Sequence, residues 1–388
     1  MSATPASVIC YGRLMPPPAV TLQQVAEQAE VSRAAASFAL SGRPGVSETT
    51  RARVLRIAEE LGYSPNRTAR NLRTSTSGIV AVHLPKNVSA MSYYMEATFG
   101  VIDRAEATGR TVTLVPHTPE SLRPGMLTAD GIIVLDPTPE DLALQRLLGM
   151  GIPVVSGERM PDVMESPAGQ VISDHARSAR EILDAFAEAG SVAPAIITTQ
   201  ERMSWVEAIE DAYRGWCAER SVEPRIEIAS IDELAESTRR ATRALLAPSS
   251  DSDRVDAILA LTDGSVLNVV TSAAEFDRRV GSDLLIAAAV DSPILGYADP
   301  AVTAVDLRPR EFGRTCMSVM EQVLEASGAG GEPITEVVAT EVIHRASSAG
   351  SHRHSRPLPR SGRQASLDVP RPKPGHCGAE SGHACECD

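Results

Sequence analysis

The sequence contains no apolar run approaching the roughly 20 residues that a membrane span requires, so an integral membrane protein is not expected. Its first residues, MSATPASVICYGRLMPPPAV, lack a basic start followed by an apolar core. That argues against a secretory signal and for a cytoplasmic location, and it makes the Asn87-Val88-Ser89 triplet a chance match to a glycosylation acceptor. Cysteine is scarce. Cys10, Cys217 and Cys316 are scattered in the manner of reduced thiols rather than a disulfide framework. Cys377, Cys385 and Cys387 crowd the end beside His376 and His383, but C-x7-C-x-C lacks the paired C-x2-C knuckles of a zinc site, and no metal is expected. Catalytic signatures are also missing. The chain has no G-x-G-x-x-G after its first strand, no G-x4-G-K-[ST], no G-x-S-x-G and no H-E-x-x-H. Asp174, Asp263 and Asp291 fall at strand ends or helix starts, where a carboxylate serves a ligand or merely caps a helix. His83 and His117 are isolated. No catalytic residue and no cofactor is assigned.

Charge is present but unevenly spread. The 388 residues carry a net −13, yet residues 20–77 hold eight arginines against five acids. The two ends are also slightly basic, at +1 for 1–19 and +2 for 347–388, which leaves −19 on residues 78–346. A basic head on an acidic body suggests a head that touches a polyanion and a body that repels it.

The organisation follows from composition and periodicity. Residues 1–19 and 347–388 are rich in Pro, Ser, Gly and Arg, have little to bury, and read as disordered. Residues 20–65 read as three helices. Thr21 with Gln24 makes a capping box before Leu22, Val25, Ala26 and Ala29. A break at Glu30-Val31 follows, then Ser32 caps a helix from Arg33 to about Leu40. The loop 41–45 ends it. Ser47 opens a third helix carrying Val54, Leu55, Ala58 and Leu61, stopped by Gly62. This is the helix-turn-helix arrangement, whose second helix lies in a major groove with its N-terminal residues against base edges. On spacing alone, a plain small helical bundle remains equally open. In residues 66–77, Arg67, Arg70 and Arg73 recur every three residues, with Ala69 and Leu72 on another side. So short a basic helix does not fold alone. It is either a solvated linker or a hinge that orders on DNA, arginines on phosphate and Leu72 wedged between base steps.

Residues 78–346 alternate apolar runs with amphipathic stretches. Strands are expected at 79–84, 112–115, 131–135, 153–156, 195–198, 257–261 and 284–290, with helices near 93–108, 139–149, 174–189, 203–220, 232–246, 265–280 and 311–326. Continuous apolar strands separated by helices mean parallel sheets covered on both faces. Two doubly wound α/β lobes with a cleft between them fit this length, with ligands at the carboxyl ends of strands.

The head and hinge, 20–73, resemble the LacI/GalR transcriptional regulators almost end to end. TLxxVAxxAxVS stands at 21–32, GVSxxTRxRV at 45–54 and LGYxPNxxARxLR at 61–73. The body is similar more faintly, in GIPVV at 151–155, the Asp174 helix start, the Asp263 turn, Val290-Asp291, and DPAVTAV at 299–305 before Phe312-Gly313. The resemblance spans about 20–346. It implies a homodimer or tetramer on a pseudo-palindromic double-stranded DNA operator, with a periplasmic-binding-protein-like core sensing a small molecule such as a sugar or nucleoside. It places Arg33 and Ala34 against bases, Thr21, Ser32, Ser37 and Asn66 on the DNA backbone, and Leu72 in the minor groove. Arg33 can pair bidentately with guanine, at about 1–3 kcal/mol of discrimination. Effector contacts by position are Tyr93, Tyr94, Glu158, Arg159, Asp263 and Asp291.

Departures from the pattern carry information. Phe38 stands where the recognition helix commonly has arginine. Glu30 occupies a turn position usually held by glycine, costing about 1 kcal/mol if the backbone there is left-handed. The R-x-x-G-[FYW] arginine that grips sugar hydroxyls is missing, the aligned stretch being Ile209-Glu210-Asp211-Ala212-Tyr213. That disfavours phosphorylated or carboxylate effectors and leaves a cationic or neutral one, or none. Pro119 and Pro124 interrupt the stretch 116–129, where relatives carry a full helix near the dimer contact. The leading expectation is a repressor, cytoplasmic and nucleoid-associated, released from DNA by a cleft-bound effector. The alternatives are a regulator with a degenerate pocket under a partner's control, and a cytoplasmic solute-binding or enzymatic α/β protein whose head is an assembly module.

Overall fold

A computed structural model describes residues 20–63, 76–86, 92–123, 125–247, 254–326 and 332–350. The expected N-terminal extension, the hinge residues Asn66, Arg67, Ala69, Arg70 and Leu72, and the tail cysteines lie outside the described residues. Among those described, no helix is long and apolar enough to cross a membrane.

The head is the three-helix unit expected from its caps: α1 (Leu22–Gln28), α2 (Arg33–Leu40) and α3 (Glu48–Glu60). The Gln24 amide donates to Thr21 Oγ1 at 3.3 Å while Gln24 Oε1 accepts from the Thr21 amide at 2.8 Å, completing the capping box. Ser32 and Ser47 accept from the third amide of α2 and α3, at 3.1 and 3.2 Å. Val25, Ala26, Ala29, Ala36, Ala39, Val54, Ile57 and Ala58 form its core. Leu55 does not join them. It is 47% exposed, because the 3.6-residue period that buries Val54 and Ala58 carries Ile57 inward instead.

Glu30 has φ +51°, the left-handed backbone anticipated for the turn. Replacing it with glycine removes a side-chain clash worth about 1 kcal/mol, partly offset by extra freedom in the unfolded chain. Glu30→Gly is therefore expected to slow amide exchange in α1 and α2 by a few-fold at most. Faster exchange would mean the glutamate side chain itself stabilises the turn.

The body begins with β1 (Ile79–His83), α4 (Ser92–Ala107), β2 (Thr111–Leu114), β3 (Gly131–Leu135), α5 (Leu142–Leu148), β4 (Val154–Gly157) and β5 (Gly169–Ser173). It continues through α6 (His175–Glu188), β6 (Pro194–Thr199), α7 (Ser204–Arg220), β7 (Ile226–Ala229), α8 (Leu234–Leu246), β8 (Ala257–Ala260), α9 (Asp263–Ala273), β9 (Leu285–Ala288) and α10 (Pro293–Tyr297). It closes with β10 (Thr303–Asp306), α11 (Pro309–Ala326), β11 (Ile334–Val338) and β12 (Glu341–Ile343). One sheet runs β11-β5-β4-β3-β1-β2, entirely parallel. The other runs β12-β10-β9-β8-β6-β7, parallel except for β12 against β10.

Each sheet buries both faces. In the first lobe, α4 and α11 cover one side through Ala97, Val101, Phe312 and Met320, and α5 covers the other through Leu144 and Leu147. In the second, α6 and α7 cover one side through Phe186, Val206, Tyr213 and Trp216, and α8 and α9 the other through Leu245, Val266 and Val269. The chain crosses between lobes three times: at Asp174, at Leu307-Arg308 and at Ala339-Thr340. Gly100 of α4 and Gly313 of α11 face each other, and a Cβ at Gly313 would lie 1.8 Å from the Ala97 carbonyl oxygen.

The sequence reading missed β5, β7, β10, β11 and β12. β5 alternates in burial, β7 is an edge strand only partly buried, β11 is an edge strand with mostly exposed side chains, and β12 is an edge strand of three residues. Between β2 and β3 the described residues form one 3-10 turn, Pro119–Ser121, and no α-helix. The body also runs past 346. Ser347 is fully buried, its Oγ donating to the Ile286 carbonyl at 2.6 Å and accepting from the Thr303 amide at 2.9 Å. Those hydroxyl bonds, invisible in composition, tie residues 346–348 to the second sheet.

Candidate DNA-contact surface and interlobe site

On α2, burial of Ala36 and Ala39 turns Arg33, Ala34 and Phe38 outward, with Ser37 half-buried. Ser32 is exposed at the N-cap, and Thr21 is exposed at the N-cap of α1. These six positions therefore share the head's accessible rim, with small side chains flanking one arginine and one aromatic ring. The Thr21 and Ser32 hydroxyls already cap helices, and a helix N-terminus is where backbone amides meet phosphate. Arg51 of α3 fixes the far end of α2. Its guanidinium donates to the carbonyls of Phe38 (3.3 Å), Ala39 (3.0 Å) and Arg43 (2.8 Å), a contact that sequence spacing did not reveal.

Between the lobes lies a cavity of about 30 Å³, lined by Tyr93, Tyr94, Asp136, Glu158, His175, Trp205, Leu261, Ala289, Val290 and Leu307. Every polar contributor sits at the carboxyl end of a strand, at a crossover or at the start of a helix, where parallel sheets present ligand groups. Asp136 follows β3 and Glu158 follows β4, and both have left-handed backbones, φ +47° and +75°. Such strain on non-glycine residues is retained where the surrounding structure over-determines it. The Tyr94 hydroxyl donates to Asp136 Oδ2 at 2.5 Å, and Glu158 Oε1 lies 3.0 Å from His175 Nε2 and 3.3 Å from the Ser173 amide.

The electrostatics follow from that geometry. Burial, reinforced by the neighbouring Glu158 carboxylate, pushes the Asp136 carboxyl up to about 7 despite the hydrogen bond from Tyr94. Burial opposes a charge on His175, but the Glu158 carboxylate outweighs it and raises the imidazole above its ordinary value. Burial and the Asp136 carboxylate push the Tyr94 phenol well up, so it remains a donor.

Of the six positions expected to touch an effector, Tyr93, Tyr94 and Glu158 line this cavity. The other three do not. Arg159 is exposed and outside the lining. Asp263 opens α9, with its Oδ1 accepting from the Gly264 amide at 2.8 Å. Asp291 is held by Arg345 through two bonds of 2.7 and 2.9 Å, so its carboxylate is already answered from within the protein. Asp174 caps α6 through the Arg177 amide at 3.1 Å. His83 pairs with Asp141 at 2.6 Å on the α5 side of the sheet, and the His117 ring lies beside it, tilted by 57° with ring centres 5.6 Å apart.

Asp136, His175 and Trp205 were not anticipated. The one available signal was position: Asp136 ends the strand GIIVL and His175 starts a helix. Ile209, standing where relatives have arginine, is 1% exposed inside the second lobe. Arg202 lies near it in the chain but is committed to Glu210 (2.9 Å) and Glu207 (3.3 Å). Among the described residues no group of three or more side chains is arranged to hold a metal ion.

Comparison with known proteins bears on both parts. The family described as "Bacterial regulatory proteins, lacI family" matches residues 21–66, and "Periplasmic binding protein-like domain" matches residues 183–348. The HTH-type transcriptional regulator CelR of Thermobifida fusca is 30% identical over 343 residues, covering 84% of this chain and 98% of CelR. Catabolite control protein A of Priestia megaterium is 25% identical over 315 residues, covering 79% and 92%. Among solved structures, a CelR–cellobiose complex superposes with TM-score 0.62 at 26% identity, over 84% of this chain and 99% of that one. A lac repressor dimer bound to operator and the anti-inducer ONPF reaches TM-score 0.69 at 19% identity, over 85% and 99%, a likeness of fold.

Proposed function

The chain belongs to the lacI family of bacterial regulatory proteins and is a DNA-binding transcriptional regulator, and we propose that it acts as a dimeric repressor released from a symmetric operator by a small molecule between its lobes. In this reading residues 20–65 are the DNA-binding head, 66–77 the hinge, and 78 to about 350 the sensing and dimerising core. Arg33, Ala34 and Phe38 meet base edges, while Thr21, Ser32, Ser37 and Asn66 hold the DNA backbone. The hinge, with Arg67, Ala69, Arg70 and Leu72, orders at the operator centre. DNA bound in this way would hold the protein at the nucleoid in the cytoplasm.

The observation that carries the reading is the interlobe cavity with ionisable groups, lined at two of its edges by His175 and Leu307 on the interlobe crossovers. A ligand there changes the lobe angle, and a preference of a few kcal/mol for one angle is enough to switch DNA occupancy. The complex of CelR with cellobiose illustrates a ligand class for such a site. Dimerisation is supported by the α4 face, where Met95, Phe99 and Ile102 are 48%, 41% and 39% exposed side by side. Among the described residues no α-helix lies between β2 and β3, and Leu114 and Met126 are exposed in that part of the lobe as well.

A second reading, in which a protein partner replaces the effector, is favoured by the size of the cavity. A volume of about 30 Å³ admits a water and no organic molecule unless the lobes part.

Selection of random duplex DNA on the purified protein, at two salt concentrations, tests the first part of the proposal. Enrichment of a palindromic site with a steep salt dependence is expected. A non-palindromic site would remove the dimer, and no enriched site would remove sequence-specific reading. With the site in hand, DNA release on ligand addition separates effector from partner control.

A further inference from the structure

The cavity has two unlike halves. From the first lobe come Asp136, Glu158 and the rings of Tyr93 and Tyr94, with His175 at the crossover. From the second come Leu261, Ala289, Val290 and the Trp205 indole, with Leu307 at the other crossover. No arginine or lysine is among the lining residues. A polyol entering this space would leave the hydroxyls on its second-lobe side facing carbon, stripped of water and without partners. The carboxylates expected to meet them, Asp263 and Asp291, do not line the cavity, and Asp291 is held by Arg345.

The acidic half holds more negative than positive groups. Asp136 and Glu158 are 6% and 4% exposed, and both line the cavity. Glu158 Oε1 takes the Ser173 amide and lies 3.0 Å from His175 Nε2, the one imidazole in the lining. Two buried carboxyl groups thus lie near one imidazole, in a space with room for little more than a water. Buried charge of this kind is stable only when paired, or when one member holds a proton. Three aromatic rings, Tyr93, Tyr94 and Trp205, wall the same space, and their faces attract cations.

Building on the effector reading above, we propose that the interlobe cavity takes an amphipathic organic cation. A primary ammonium or an amidinium sits against Asp136 and Glu158, with its carbon skeleton on Trp205, Leu261, Val290 and Leu307. An ammonium supplies three donors and no acceptor, which matches a site offering carboxylate oxygens on one side and carbon on the other. The lobes open to admit it and close on it about the three crossovers.

Binding is coupled to protons. Facing Asp136 are Tyr93 and Tyr94 from α4, Glu158 after β4, His175 from α6, Trp205 from α7 and the Cys316 thiol of α11. With its pKa raised to about 7, Asp136 holds a proton below neutrality in the empty site. A cation favours the ionised form and displaces that proton. Affinity for the cation therefore climbs towards tenfold per pH unit below about pH 7 and levels off above it. His175 pushes the same way, since its protonated form repels the ligand.

Isothermal titration of the full-length protein with benzylamine, its neutral isostere benzyl alcohol, and cellobiose tests this at pH 6, 7 and 8 in buffers of different ionisation enthalpy. DNA affinity is followed in parallel on the selected site. Benzylamine is expected to bind at least tenfold more tightly than benzyl alcohol at pH 8, to release protons at pH 6, and to change DNA affinity. Asp136→Asn should cut the proton release to the part His175 supplies and remove most of the preference for the amine. The proton count on the unaltered protein decides the matter even if that variant does not fold. Binding of cellobiose or benzyl alcohol as tight as that of benzylamine, with no proton release, overturns the cation assignment and leaves effector control standing. If the protein grips its DNA site and no ligand of the three alters that grip or binds, both the cation assignment and effector control by these classes fall together.

Discussion

Gly313→Ala is expected to destabilise the first lobe by on the order of 3 kcal/mol or more. The added Cβ would lie 1.8 Å from the Ala97 carbonyl oxygen and 2.7 Å from its carbon, and a Cβ at the opposing Gly100 would lie 2.1 Å from the Arg310 carbonyl oxygen. Those obstacles are backbone, so no rotamer change relieves them. The helices α4 and α11 must separate, and with them move Val101, Phe312, Met317 and Met320, which fill the core beneath. Separation would also tilt α4, whose outer face carries Met95, Phe99 and Ile102. Gly215, in the interior of α7, makes a control. Its nearest neighbour to a new Cβ is Arg180 Nη1 at 3.8 Å, so Gly215→Ala meets ordinary contact and gains helix propensity. Thermal unfolding should show a large fall for Gly313→Ala and a small rise for Gly215→Ala. Equal, small shifts would mean the α4–α11 contact yields easily, and the close approach would lose its significance as a determinant of the lobe.

The head was legible because what shapes it is local. Each helix start is set by a hydroxyl three residues from the amide it accepts, and the turn by one left-handed residue, Glu30. Such features are contained within a few consecutive residues. The lobes were legible where strands are buried on both faces and read as unbroken apolar runs, as in GIIVL at 131–135 and AILA at 257–260. They were illegible where polar residues interrupt the strand: GQVIS and the edge strand ITEVV mix polar with apolar residues and pair with each other across 165 residues of sequence.

The cavity was harder still, because its residues come from both lobes and from the crossovers between them. Asp136 and Trp205 meet across the cleft, and nothing in either neighbourhood announces the other. The ion pair of Asp291 with Arg345 shows the opposite hazard. A carboxylate in the right place for a ligand is already neutralised by a partner 54 residues away. Position along a strand identifies where a ligand group can stand, and long-range pairing decides whether it is free to act.

Arg33→Ala is expected to lower affinity for the selected DNA site by 10- to 100-fold, within the roughly 1–3 kcal/mol of a bidentate guanine contact. Arg33 is exposed in the first turn of α2, and its neighbours Ala34 and Ala35 are small enough to let the helix approach base edges. Its contribution separates from simple charge in two ways. Affinity for unrelated duplex DNA should change little, and the slope of log affinity against log salt should stay nearly constant, whereas loss of a phosphate contact lowers that slope by about one unit. Arg33→Lys keeps the charge but not the planar fork, so it should lose most of the discrimination as well. Arg51→Ala provides the contrast. Arg51 reads no base; it ties α3 to the carbonyls ending α2, so its loss should weaken all DNA sequences alike and raise amide exchange in residues 38–43. Should Arg33→Ala behave as Arg51→Ala does, or Arg33→Lys match the unaltered protein, base reading by Arg33 would be excluded and specificity would rest on Phe38 and the hinge.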